Sequence, residues 1–234
     1  MTILAMSLRI SGHGKTIAKW AIVGTLGILV LVFFVRVAVW EANYYNEKDG
    51  SEREVLAVET QQEELVEEKP SEEDVYNYYV SAEKPRYLTI SKLGVENARI
   101  LPVSINSDGA LGTPNNIFDV GWYVNSGLPG KGGTMLIDGH NGGPHVHGVF
   151  KDLPILESGD LIIVERGDGE KFTYSVVDNK EVPLSESDVY MATAMKSPEA
   201  GKESVTLISC TGEWSQSQGT YLSRQFARAV LVKD

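Results

Sequence analysis

The chain is predicted to carry one mostly-β domain, and three observations in residues 84–234 predict it. Short runs rich in Val, Ile, Leu, Thr, Tyr and Phe recur, apolar and polar residues alternate within several of them, and Gly, Pro, Asn and Asp separate one from the next. Strands are expected at 87–90, 98–103, 134–138, 161–165, 171–177, 204–210 and 225–232. In the run at 171–177, Phe172, Tyr174 and Val176 share one face while Thr173 and Ser175 take the other, as a period of two requires. Helical turns are expected at 147–153, ended by Pro154, and at 186–191, with Ser185 or Ser187 as N-cap. About 150 residues suffice for one well-buried core. The domain shows no internal repeat, no βαβ rhythm and no phosphate-loop glycine spacing, which argues against a nucleotide-binding sheet.

The N-terminal part has a different texture. Residues 20–35 are apolar except for Thr25, and the run reaches Trp40 if Arg36 snorkels, close to the ~20 residues that span a bilayer as a helix. Trp20 and Trp40 bracket it at the positions of the two water–lipid interfaces. A cleavable signal peptide is the competing reading, but the apolar core is long for one and no small-x-small site ends it cleanly. Arg9, Lys15 and Lys19 precede the run, whereas Glu41, Glu47, Asp49, Glu52 and Glu54 follow it. The charge bias places residues 1–19 in the cytoplasm, 20–40 in the cell membrane as a single-pass anchor, and the rest outside the cell.

Residues 41–83 are expected to form an acidic stalk. Residues 41–86 hold fourteen acids against five bases, too much charge to bury a core. Val55, Leu56, Val58 and Leu65 trace a weak helical stripe, which Pro70 and the acid runs interrupt. The formal net charge is −11 and no basic footprint exists, which argues against a nucleic-acid partner.

Three segments end in chemically capable residues: Gly139-His140 after an apolar run, Thr206-Leu207-Ile208-Ser209-Cys210, and Arg224 opening another apolar run. Cys210 is the only cysteine, so it has no disulfide partner in its own chain; in an exported protein it is a reactive thiol, an intermolecular link or a buried, inert residue. If the first two runs are neighbouring strands, an imidazole and a thiol meet at one rim, where a thiolate–imidazolium pair can form. An arginine on a third strand then supplies a forked donor for an oxyanion. Arg228 shares the strand and the face of Arg224 and is the alternative. Asp138, two residues before His140, shares its face and either orients the ring or is structural. His140, His145 and His147 fall close enough together to raise zinc, but Gly142-Gly143-Pro144 makes a loop without the helical spacing of a zinc site.

In this order, behind an anchor, the motifs resemble those of the sortase family, membrane-anchored cysteine transpeptidases. The threonine-leucine-x-threonine-cysteine motif of that family corresponds to Thr206-Leu207-Ile208-Ser209-Cys210, with Ser209 keeping the second hydroxyl. Its glycine-histidine pair corresponds to Gly139-His140, and its arginine to Arg224. The segment from Asn115 to Tyr123 resembles one found in actinobacterial-type classes and is expected to give a tight turn and buried aromatics. The resemblance implies a closed β-barrel over 84–234, with Cys210 as nucleophile, His140 as general acid and then base, and Arg224 as oxyanion stabiliser. It implies cleavage of an LPXTG-like signal on surface proteins and transfer to an amine, either a peptidoglycan precursor or a pilin lysine. The missing C-terminal apolar tail leans toward wall attachment or a specialised single-anchor enzyme. Some relatives bind calcium before the cysteine strand; Glu181, Glu186, Asp188 and Glu199 are too ordinary a set for that, and no cofactor or metal is expected. The alternatives are a cysteine peptidase acting on the same signal and a non-catalytic peptide-binding module.

Overall fold

Alternate residues of the strand segments face one apolar interior, and the sheet they build closes on itself. The computed structural model describes Arg36, residues 65–107 and residues 109–232. Among these residues eight strands form: β1 (Pro85–Ile90), β2 (Val95–Val103), β3 (Val120–Tyr123), β4 (Thr134–Gly139), β5 (Leu161–Arg166), β6 (Lys171–Pro183), β7 (Ser204–Ser215) and β8 (Thr220–Leu231). They make a closed barrel in the order β1-β2-β3-β4-β7-β8-β6-β5, which leaves no free sheet edge. Leu88, Ile90, Ile137, Val164, Tyr174, Leu207 and Ala229 are fully buried inside it, joined by Phe150, Leu153 and Leu156 from the β4–β5 connection.

β4, β7 and β8 lie side by side. β4 runs parallel to β7 with Thr134 opposite Ser204 and Asp138 opposite Ile208. Such a pair needs a crossover connection, which here passes through β5, β6 and the helix α2 (Leu184–Ala194). β7 and β8 then pair antiparallel as a long hairpin. On their outer face a second apolar cluster forms from Leu136, Val182, Ala194, Ile208 and Phe226, packed by Tyr190 and Met191 of α2. The Thr206 hydroxyl donates to the Ala194 carbonyl at 2.7 Å, and the Tyr190 and Phe226 rings meet edge-on at 4.9 Å.

Several expectations need correction. The string Asp119–Tyr123, read as a tight turn with buried aromatics, does bury Trp122, but Val120–Tyr123 is strand β3, parallel to β2 and antiparallel to β4; Gly121 suggested a turn, but it sits in the sheet beneath Asp138. α2 is longer than expected and starts after Pro183 without a side-chain cap; Ser187 instead donates to the Leu184 carbonyl. The turn expected to end at Pro154 continues through it, because proline fits the first turn of the short 3-10 helix Leu153–Ile155.

The expected anchor, residues 20–40, lies outside the described residues apart from Arg36, as does the stalk up to residue 64. Among the described residues no helix is long and apolar enough to cross a membrane. Of the expected stalk, residues 65–83 lie against the barrel, in a compact unit that runs from Glu63 to Asp234. Val66 pairs in parallel with Asn116, and the five-residue helix α1 (Glu72–Tyr76) is closed by a Ser71–Asp74 capping box. Close by, Arg99 makes a bidentate bond to the buried Asp119, at 2.9 and 2.7 Å, tying β2 to the turn before β3.

Candidate active site

Strand register assembles the site on the outer face of β4, β7 and β8. Residues directly opposite in a sheet share a face, so Asp138 with Ile208, and Cys210 with Arg224, point the same way. Two residues beyond the Asp138–Ile208 pair, β4 delivers His140 and β7 delivers Cys210 to the same rim. The structure thus sets Cys210 of β7 opposite Arg224 of β8, and places His140 directly after the end of β4, the strand beside β7. Arg228 lies opposite Thr206 on the same face, four residues further down, and bonds Asp178 of β6 through its Nε at 3.0 Å. Register therefore separates two arginines that alternation alone leaves equivalent.

The strands are locked just below this rim. Ser209 points the other way from Cys210, and its hydroxyl donates to the Gly139 carbonyl at 2.8 Å, a buried staple between β4 and β7. Gly139 itself is required by close approach, since a Cβ there would collide with Phe150 and Val149. The backbone of His140 is held in turn, with the Phe150 N–H donating to its carbonyl at 2.9 Å.

The His140 ring is half-buried, and its Nε2 lies 2.9 Å from the Pro114 carbonyl. A carbonyl only accepts, so Nε2 carries a hydrogen and Nδ1 is the nitrogen left to exchange a proton. Burial holds the His140 pKa below its ordinary value, against the opposing pull of the Pro114 carbonyl. Burial pushes the Cys210 thiol up; the charge of Arg224 draws it down and that of Asp138 adds to the rise. Burial thus favours the neutral form of each group.

Arg224 folds back on the hairpin tip. Its Nη1 donates to the Tyr221 and Ser223 carbonyls, each at 3.0 Å, and its Nη2 to the Thr220 hydroxyl at 3.2 Å. Beside it, Trp214 packs edge-on against Tyr221 at 5.2 Å and stays half exposed. Trp214 was missed in the sequence because it follows the apolar run by four residues, in a stretch without alternation.

Asp138 does not bond the ring of His140. It accepts a hydrogen bond from the Thr113 hydroxyl at 2.6 Å, and burial raises its pKa to about 7. His145 and His147 are exposed on the following loop, where the backbone N–H groups of His145 and Val146 donate to Glu67 at 2.8 and 3.2 Å. Among the described residues no three His, Cys, Asp or Glu side chains converge as metal ligands would.

The sortase domain model matches residues 88–232. No curated protein matches the chain. Among solved structures, a sortase D5 transpeptidase of Clostridium perfringens is 21% identical, with 70% of this chain and 91% of that one covered at a TM-score of 0.46. The SrtA sortase of Actinomyces oris is 20% identical over 74% and 87% of the two chains at 0.46. Sortase C-1 of the same organism is 23% identical over 66% and 76% at 0.47. These likenesses are distant, and the assignment rests on the domain match, which spans more than half of the chain and includes all three rim residues: the protein belongs to the sortase family.

Proposed function

We propose that the protein is a cysteine transpeptidase that joins surface proteins bearing an LPXTG-like C-terminal signal to an amine at the cell surface. The observation that carries this reading is the register that sets Cys210 opposite Arg224 and pairs Asp138 with Ile208, with His140 and Cys210 each two residues further along. Binding of the peptide displaces water, and the Cys210 thiol passes its proton to Nδ1 of His140 as sulfur attacks the scissile carbonyl carbon. The negative charge moves to the carbonyl oxygen, where Arg224 supplies N–H donors from its five-donor fork. The C–N bond then breaks, the departing amine takes the proton from His140, and a thioester remains on Cys210. An incoming amine gives its proton to His140 and attacks the thioester; the C–S bond breaks, the thiol regains a proton and an amide forms.

The half-exposed Trp214–Tyr221 pair beside Arg224 offers an apolar surface for a peptide side chain. Residues 20–40 serve in this proposal as the membrane anchor, with residues 1–19 in the cytoplasm and the barrel outside. The acceptor is a peptidoglycan precursor or a pilin lysine, both of which present a primary amine.

The full chain in detergent, incubated with LPXTG-like peptides and excess amine and read by mass, tests the proposal. Transfer that vanishes in Cys210→Ala supports it. Release of the free acid alone, with amine present, replaces it by a peptidase, and no thioester with any peptide replaces it by a binding module.

A further inference from the structure

Asp138 is a buried carboxyl that the chemistry above does not use. One of its oxygens, Oδ2, accepts the Thr113 hydroxyl at 2.6 Å; the other, Oδ1, is buried without a hydrogen-bond partner. Gly121 of β3 leaves the space for Oδ1, since a Cβ at that glycine would run into it. A buried carboxyl with one bond is costly to keep ionised, so a purely structural staple at this place needs no acid. Two connections lead from it to the rim.

The first runs through the chain. Thr113 precedes Pro114, whose ring fixes φ and confines the residue before it to extended backbone. Fixing the Thr113 side chain therefore fixes the Pro114 carbonyl, the group that meets Nε2 of His140 at 2.9 Å. The second runs through space: a negative Asp138 opposes a negative Cys210, so carboxylate and thiolate exclude one another. Charged and titratable groups around Asp138 are few. β7 brings Cys210, with Arg224 opposite it on β8; β3 brings Tyr123, two residues from Gly121; β4 itself continues to His140; and the stretch from Leu111 to Pro114 brings no ionisable side chain.

We propose that Asp138 and Thr113 are positioning residues for the reaction: their hydrogen bond holds the Pro114 carbonyl against the His140 imidazole, and the Asp138 carboxyl governs the charge beside Cys210. The proposal rests on Cys210 and His140 being the reacting pair. It predicts that Asp138 must be neutral for the thiolate to form, and that the proton on Nε2 of His140 depends on a hydroxyl at position 113.

Two substitutions separate the connections. Asp138→Asn keeps an acceptor for Thr113 and removes the charge; Thr113→Val keeps the carboxyl and removes the bond. In the full chain in detergent, alkylation by iodoacetamide reports Cys210 alone, because it is the only cysteine. Asp138→Asn is expected to move the alkylation midpoint to lower pH and to raise the rate at neutral pH by about threefold or more. By NMR, with His140→Gln to assign the signal, Thr113→Val is expected to lower the His140 midpoint, and Thr113→Ser to restore it. An Asp138→Asn profile superimposed on that of the parent, or a His140 titration unmoved by Thr113→Val, overturns the proposal. If Thr113→Val fails to fold, the Asp138→Asn profile decides alone. A Cys210 that does not alkylate in the folded parent overturns this inference and the nucleophile together, whereas a reactive Cys210 with an unmoved profile overturns this inference only.

Discussion

The two faces of the β4–β7–β8 sheet are built from the same strands and do opposite work. Inward, Met135, Ile137, Val205, Leu207, Ala227 and Ala229 are all fully buried and wholly apolar. Outward, the alternate residues grade from apolar to reactive. Leu136, Ile208 and Phe226 lie among the residues packed by α2, and His140, Cys210 and Arg224 stand at the rim, with Asp138 buried beside them. The inner face is stable because its apolar side chains leave water and its buried polar ones, Ser209 and Gln225, are hydrogen-bonded within the protein. The outer face tolerates a buried acid and a half-buried thiol because the inner face over-determines the strand positions. Stability and chemistry are thus separated by a single residue step along each strand.

That separation can be broken most sharply at the rim. Cys210→Ala is expected to lower transfer by at least about a thousandfold while leaving the denaturation midpoint close to that of the parent. A loss of stability comparable to a core substitution would show that the rim also holds the barrel. On the inner face Leu207→Ala is expected to cost about 2–5 kcal/mol in urea unfolding, with thioester formation retained in the folded fraction.

Asp138 sharpens the comparison, since it is the outer-face group whose burial is least compensated. Its pKa rises from 3.8 to about 7 on folding, so the folded state holds the proton more tightly than the unfolded one. Stability from this group is full below the unfolded pKa and is lost as pH rises through about 7, with an upper limit of about 4 kcal/mol. Asp138→Asn is therefore expected to leave the thermal midpoint unchanged in acid and to raise it in mild alkali. An equal change at both pH values would remove the carboxyl charge as its cause.

The smaller effects concern the staples. Ser209→Ala removes the hydroxyl that joins β7 to the Gly139 carbonyl and is expected to cost about 1 kcal/mol, with a fall in transfer because His140 and Cys210 lie next to it. Arg228→Ala breaks a partly exposed pair with Asp178 and is expected to cost about 1 kcal/mol or less with transfer retained, whereas Arg224→Ala loses most turnover. Equal losses of transfer in the two arginine variants would contradict the assignment by register.

Much of this site is legible in the chain because each reactive residue ends or opens an apolar run. Thr206-Leu207-Ile208-Ser209-Cys210 and Gly139-His140 announce the apolar stretches of β7 and β4, although β7 runs on past Cys210 to Ser215 while β4 ends at Gly139. The alternation of Phe172, Tyr174 and Val176 predicts their shared face: Tyr174 and Val176 are buried in the interior cluster, and the partly buried Phe172 packs against it. β3 escaped because four residues containing Gly121 resemble a turn when the flanking strands are unknown. Thr113 escaped because nothing in the sequence links it to Asp138, 25 residues away.

The sequence by itself determined seven of the eight strands and the candidate reactive side chains they carry, because period-two alternation and turn chemistry act between near neighbours. Only the tertiary structure decided which strands are neighbours and in what register. Closing the barrel paired β4 with β7 and β7 with β8, and so chose Arg224 over Arg228 as the residue opposite Cys210 and placed Asp138 beneath Thr113. Register between distant strands is set by burial of the whole inner face at once, which no single segment contains.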